Sequence, residues 1–183
     1  MKCVMIRPVS FGHPDAVRLN DRVQREYAER YGDDGDITPL DPDMFEPPRG
    51  LYLIARDALG VPVATGGWRI QDANGLGYTD GDAEIKRMYV VPEARGQGLS
   101  RRVLAALEDD ARAAGRLRMV LETGTKQPEA ISLYVSSGYE PCDKFGHYRF
   151  EELSRCYAKP LRPAESSPGT AAPAAEGRMP AGR

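Results

Sequence analysis

Apolar residues recur along this 183-residue chain with two periods, one of about two residues and one of three to four. Val4–Arg7 is a short strand-like run. From Pro14 to Tyr31 the apolar positions Ala16, Leu19, Val23, Tyr27 and Tyr31 keep helical spacing, and Gly32 can end that helix in a left-handed cap. Residues 33–50 are rich in Asp and Pro and read as a loop. Leu51–Arg56 and Val61–Ile70 predict a hairpin around Asp57–Gly60. Ala83–Val91 predicts a third long strand, ending at Pro92. Leu99–Ala114 predicts a helix with Leu99, Val103, Leu107, Ala111 and Ala114 on one face and Gly115 at its stop. Arg118–Glu122 is a short strand, and Pro128–Ser137 a helix with Pro128 in its first turn and Gly138 at its end. Strand-like pieces at Tyr139–Pro141 and Arg155–Leu161 complete the order β-α-β-β-β-α-β-α-β-β, an α/β arrangement.

These elements make residues 1–161 one domain. Residues 162–183 lack aromatic residues, and Thr170 is their sole β-branched side chain. Such a Pro/Ala/Gly-rich stretch buries too little apolar surface to order itself, so it is expected to be a disordered tail.

Composition narrows the function. Hydrophobic residues make up 41% and charged residues 28%, ordinary for a globular protein. No apolar run approaches the ~20 residues that span a bilayer, and the apolar stretch at Met1–Pro8 breaks too early for a signal peptide. Net charge is −2, so no global basic field favours nucleic acid. Cys3, Cys142 and Cys156 are scattered, as suits reduced thiols, and His13 and His147 have no metal-ligand spacing. A cytoplasmic protein with no membrane, nucleic-acid or metal partner is expected.

The chemistry-bearing segment is Val90-Val91-Pro92-Glu93-Ala94-Arg95-Gly96-Gln97-Gly98-Leu99-Ser100-Arg101, which joins a strand to the start of the strongest helix. Free backbone N–H groups and the helix dipole make such a junction an anion site. Gly96 and Gly98 let an anion approach the backbone, and Arg95 and Arg101 add positive charge. Arg101 stands where a dinucleotide fingerprint needs its third glycine, and the Gly-Lys-Ser/Thr ending of a P-loop is missing. Glycine spacing alone leaves an ordinary turn open.

The segment Arg95-Gly96-Gln97-Gly98-Leu99-Ser100 resembles the Arg/Gln-x-x-Gly-x-Gly/Ala pyrophosphate loop of the GNAT acetyltransferases, with Ser100 where that family usually has Gly or Ala. Glu84-Ile85-Lys86-Arg87-Met88-Tyr89-Val90 is similar to the family's central strand. Leu121-Glu122-Thr123-Gly124, Gln127, Ala130-Ile131, Leu133-Tyr134 and Gly138-Tyr139 resemble its later strand–helix motif. The similarity runs from about Ala83 to Tyr148. It implies a GNAT-type fold, a central mixed twisted sheet of about six to seven strands flanked by about four helices. It also implies acetyl-CoA as co-substrate, acetyl transfer to the amine of a small molecule or peptide by direct attack in a ternary complex, and a possible homodimer. A coenzyme-binding module without catalysis is the alternative, and a tRNA-directed enzyme is disfavoured by the acidic balance.

An amine attacks a thioester only as the free base, so the site must remove a proton, stabilise an oxyanion and protonate the leaving thiolate. The resemblance implies Glu84 as base, with Glu122 as rival. A solvated strand-end carboxylate is the plain alternative for Glu84, and a structural carboxylate for Glu122. Tyr134 falls where the family carries a tyrosine near the coenzyme sulfur. A phenol of pKa ~10 can protonate a thiolate, and a core aromatic is the alternative. Met88, Tyr89 and Val90, on a strand that splays from its neighbour in the family, are expected to hold the pantetheine arm. Arg95, Gly96, Gln97, Gly98, Leu99, Ser100 and Arg101 are expected at the phosphates. Strict alternation puts Glu84, Lys86, Met88 and Val90 on one strand face and Ile85, Arg87, Tyr89 and Val91 on the other. His147 reads as a surface residue before a base, and Trp68 as core before pocket. The acidic residues Asp33, Asp34, Asp36, Asp41, Asp43 and Glu46 are either an acceptor wall that would attract a cationic amine or a solvated loop. Phe45 and Tyr52 are further candidates for shaping the pocket.

Overall fold

A computed structural model of the chain describes residues 4–32 and 35–161. The expected tail at 162–183, and Cys3, Asp33 and Asp34, lie outside the described residues. Ten elements carry the fold: β1 (Met5–Pro8), α1 (Pro14–Tyr31), β2 (Gly50–Arg56), β3 (Pro62–Gln71), β4 (Asp82–Val90), α2 (Leu99–Ala113), β5 (Arg118–Gly124), α3 (Pro128–Ser136), β6 (Glu140–Pro141) and β7 (Ser154–Pro160). Among the described residues there are three α-helices and two 3₁₀ turns, Pro42–Phe45 and Pro92–Ala94, where about four helices were expected.

The seven strands form one mixed sheet in the order β1-β2-β3-β4-β5-β7-β6. The β4–β5 pair is parallel, and the other pairs are antiparallel. Helices cover both faces. On one, Trp68 is 1% exposed and donates its indole N–H to Asp110 of α2 at 2.8 Å, beside Val103, Leu104 and Leu107. On the other, the Tyr52 hydroxyl donates to Asn20 of α1 at 2.8 Å, Phe11 stacks on Phe45, and Tyr52 meets both rings edge-on. Trp68 is therefore core. Phe45 and Tyr52 are core too, which corrects the expectation that they shape a pocket.

Two interruptions of the sheet matter for function. The first is the splay. β4 pairs with β5 only at Asp82↔Arg118, Ala83↔Met119 and Glu84↔Val120, although both strands run on past those residues. Beyond Glu84 the two strands part, and β4 keeps backbone groups on that side without a strand partner. α3 spans the opening. Arg30 of α1 pairs with Glu129 at its start, and Arg101 of α2 donates to Ser136 and Ser137 at its end (2.7 and 3.2 Å).

The second is a β-bulge. The β3–β4 register slips by one residue between Thr65↔Tyr89 and Gly67↔Lys86, so Gly66 faces both Arg87 and Met88. Arg87 takes a left-handed backbone with φ of 58°. A Cβ at Gly66 would lie 2.6 Å from the Met88 sulfur, so a larger residue would push the Met88 side chain aside. The bulge overturns strict alternation: Met88 turns toward Val103 of α2, while Arg87 joins Glu84 and Lys86 on the opposite face.

Candidate active site

The splay opens into two adjoining cavities. The larger, about 590 Å³, lies between the parted ends of β4 and β5, under α1 and α3. Its wall includes Lys86, Arg87, Glu122, Tyr31, Tyr148 and Asp36. The smaller, about 250 Å³, runs along β4 to the start of α2. Tyr27, Met88, Gln127, Ala130 and Tyr134 line both, so the cavities meet at these five residues.

The smaller cavity gathers Met88, Tyr89, Val90, Arg95, Gly96, Gly98, Leu99 and Ser100 of the expected coenzyme residues. Gln97 is exposed and Arg101 is drawn onto α3, so neither lines it. The α2 N-terminus has the character of an anion site. Gly98 caps the helix in a left-handed conformation (φ 73°) with no side-chain cap, so the first N–H groups of α2 lack a side-chain acceptor. Gly96 shares that conformation (φ 75°), and a Cβ at either position would meet nothing within 4 Å. These glycines are set by backbone shape and by an open approach to the amides, not by crowding. Arg95 donates to the Val90 carbonyl (3.0 Å), pairs with Glu26 of α1 (2.7 Å) and lies over the Tyr89 ring. A diphosphate fits this donor set.

The two candidate carboxylates have opposite settings. Glu84 is fully buried and does not line either cavity. It accepts from Arg69 Nε (2.8 Å), Gln71 Nε2 (3.2 Å) and the Tyr78 hydroxyl (3.0 Å), and pairs with Lys86 Nζ (3.1 Å). Burial pushes its pKa up, but Lys86 and Arg69 outweigh that and hold it below the usual carboxylate range. A solvated strand-end carboxylate does not describe it. Glu122, near the free end of β5, lines the larger cavity and accepts from the Ser154 hydroxyl at 2.6 Å. Burial raises its pKa, and the negative charges of Glu84 and Asp36 add to that against Ser154 and Lys86.

Tyr134 stands at the junction of the cavities, 6% exposed, with its ring edge-on to Tyr139. Burial raises its phenol well above the ordinary value. Tyr27, which reading along the chain assigned only to a helix face, lines the same junction. His147 is exposed and lines neither cavity. Of the acidic residues in the loop after α1, Asp41, Asp43 and Glu46 are exposed and outside the cavity lining, and Asp36 is turned onto Arg87. Of the described acidic residues in that loop, Asp36 alone reaches the cavity wall.

A model of the GNAT acetyltransferase family matches residues 17–139, which takes in most of α1, the bulged strand, the α2 loop, the β5 end and α3. The chain belongs to the GNAT acetyltransferase family. An IAA acetyltransferase of Azospirillum brasilense is 38% identical over 133 residues, covering 69% of this chain and 82% of that one. A candidate acyl-CoA N-acyltransferase of Klebsiella pneumoniae matches in structure with a TM-score of 0.71 at 29% identity, over 87% of this chain and 98% of that one. The PaiA N-acetyltransferase of Thermoplasma acidophilum, solved with coenzyme A, shares the fold with a TM-score of 0.61 at 16% identity, over 86% and 99%. This GNAT chain is thus an acyltransferase of a family that uses acetyl-CoA, and its glycine loop and splayed strand are the parts of the fold that suit the coenzyme.

Proposed function

We propose that the protein transfers an acetyl group from acetyl-CoA to the primary amine of a small molecule or peptide by direct attack within a ternary complex, in the cytoplasm. The observation that carries this is the meeting of two cavities at Tyr27, Met88, Gln127, Ala130 and Tyr134. One cavity leads from the helix N-terminus that suits a diphosphate, and the other holds a carboxylate with a raised pKa.

Acetyl-CoA, when bound, supplies the thioester whose C–S bond breaks as the C–N bond forms. Along the smaller cavity the Met88–Val90 edge of β4, which has no β5 partner, would hold the pantetheine arm like an added strand, with Gly96, Gly98, Leu99 and Ser100 at the phosphates. Glu122 is the base in this reading, in place of Glu84. A base must reach the substrate and accept a proton near neutral pH, and Glu122 has both the position and the raised pKa. Glu84, buried away from the cavity with four partners, is a positioning residue that anchors Lys86. Glu122 takes the ammonium proton, Tyr134 gives its phenolic proton to the departing thiolate, and the second proton shed by the nitrogen as the amide forms restores the Tyr134 phenol.

The test is coenzyme A thiol release with a panel of amines, comparing the wild type with Glu122→Gln and Tyr134→Phe. Loss of the base should lower kcat/KM by about 10²–10⁴-fold and abolish the rise of activity with pH. Tyr134→Phe should lower kcat with little change in KM for acetyl-CoA. Full activity in Glu122→Gln would refute the assignment of the base.

A further inference from the structure

The larger cavity holds a cation that the transfer chemistry does not use. Arg87 sits on the bulge of β4, and its side chain is only 7% exposed while lining the cavity. Its left-handed backbone is uncommon for a side chain of this size, and such strain concentrates at binding and catalytic sites. One guanidinium nitrogen, Nη2, donates to the Asp36 carbonyl at 3.1 Å. The other, Nη1, is ion-paired with an Asp36 carboxylate oxygen at 3.4 Å but is buried without a hydrogen-bond acceptor. An unsatisfied charged donor at this depth is costly unless a ligand meets it.

Counting charges points the same way. Lys86 and Arg87 are the cations of the cavity wall, and Arg69, outside the lining, belongs to the same buried charge network through Glu84. Glu84 takes up Arg69 and Lys86 at 2.8 and 3.1 Å, so Arg87 is left facing Asp36 alone. Once Glu122 carries the proton of the incoming amine, three cations face the two anions Glu84 and Asp36. One negative charge is missing. Glu151 and Glu152 also line the cavity, but both are exposed and their charges are screened by solvent. Around these charges stand Tyr27, Tyr31, Ile85, Leu121 and Tyr148, surfaces for an apolar or aromatic substituent.

We infer that the acceptor carries an acidic group close to its amine, a carboxylate or phosphonate, and that Arg87 binds that group. This rests on the reading of the larger cavity as the acceptor site. The acidic group accepts from the Arg87 guanidinium, which turns its buried Nη1 from Asp36 to meet it, beside the ammonium group of Lys86, while the acceptor's amine faces Glu122 on the opposite strand. A guanidinium suits this task because its fixed fork matches the two oxygens of a carboxylate or phosphonate. The class is that of small amino acids and aminophosphonates, in place of the polyamines that an acidic wall would have favoured.

The wild-type protein decides it with matched pairs: each of several amino acids against the amine left when its carboxylate is removed, and aminoalkylphosphonates against the corresponding alkylamines. Two readouts are taken, calorimetric binding of the acceptor in the presence of coenzyme A, and thiol release from acetyl-CoA. The acid-bearing member should bind and react about 10- to 100-fold better, as expected of one charge-assisted contact. Arg87→Gln should collapse that ratio toward unity, and Arg87→Lys should restore part of it. Carboxylate and phosphonate arms separately show which anion fits. If the acid-bearing members bind but no acceptor releases thiol, the transfer reading falls and the anion site stands. If the plain amines bind and react as well as their acidic partners, the anion site is overturned and the transferase reading stands. Failure of every acid-bearing compound to bind also overturns it.

Discussion

Glu84 and Glu122 are the same side chain on neighbouring strands, and their surroundings drive them apart. Glu84 sits among Arg69, Gln71, Tyr78 and Lys86, so its charge is compensated and its pKa is held low. Glu122 has a single side-chain donor, Ser154, and two like charges nearby, so its pKa is raised. Pairs of carboxylates tuned apart in this way divide structural from acid–base roles. Removing Glu84 leaves Arg69 and Lys86 buried without their counter-charge, and breaking a buried pair costs about 3–5 kcal/mol. Glu84→Gln is therefore expected to shift the urea midpoint strongly downward, while the fraction that stays folded retains far more turnover than Glu122→Gln. A Glu84→Gln protein as stable as the wild type but without activity would return the base to Glu84.

At the scale of elements, the loop before α2 can be tested through Gly98. A Cβ there meets nothing within 4 Å, so Gly98→Ala costs only the left-handed conformation, about 1–2 kcal/mol. The strain falls on the amides that would meet the diphosphate, so KM for acetyl-CoA should rise about tenfold with kcat little changed. Gly98→Asn, which tolerates that conformation better, should be milder, and steady-state kinetics on both variants checks the order. The legibility of the sequence follows the same line. The glycine loop, the helices ended by Gly32 and Gly115, and the hairpin around Asp57–Gly60 were readable because local chemistry sets them. Gly66-Gly67 within a strand was a signal of a bulge, yet its consequence was not readable. Where Met88 and Arg87 point depends on a register slip between two strands, a non-local property. Glu122 was harder to place than Glu84 for a related reason: the splay decides which strand end faces a cavity, and it arises from pairing that stops after Glu84↔Val120.

Across the whole molecule these carboxylates link activity to stability through pH. The carboxyl groups of Glu84 and Asp36 are held below their ordinary values. Burial opposes this in both, but Lys86 and Arg69 overcome it for Glu84, and Lys86 and Arg87 for Asp36. Their contribution to stability is fully present above the unfolded-state values of about 4, and is lost as pH falls through the lowered folded values. Glu122 has the opposite sign. Its folded pKa is raised, so its contribution is present below the unfolded value of about 4.3 and is lost as pH rises through the folded one. At neutral pH an ionised Glu122, the form its proposed role as base requires, therefore costs stability. Glu122→Gln keeps the shape, and its amide can still accept from Ser154. The variant should be inactive yet more stable than the wild type at pH 8, with the gap closing below about pH 4, where the carboxyl is protonated in both states. Urea midpoints of the two proteins measured from pH 4 to 8 check this. A constant gap across that range would mean that Glu122 titrates like a solvated carboxylate, and it would remove the physical basis for making it the base.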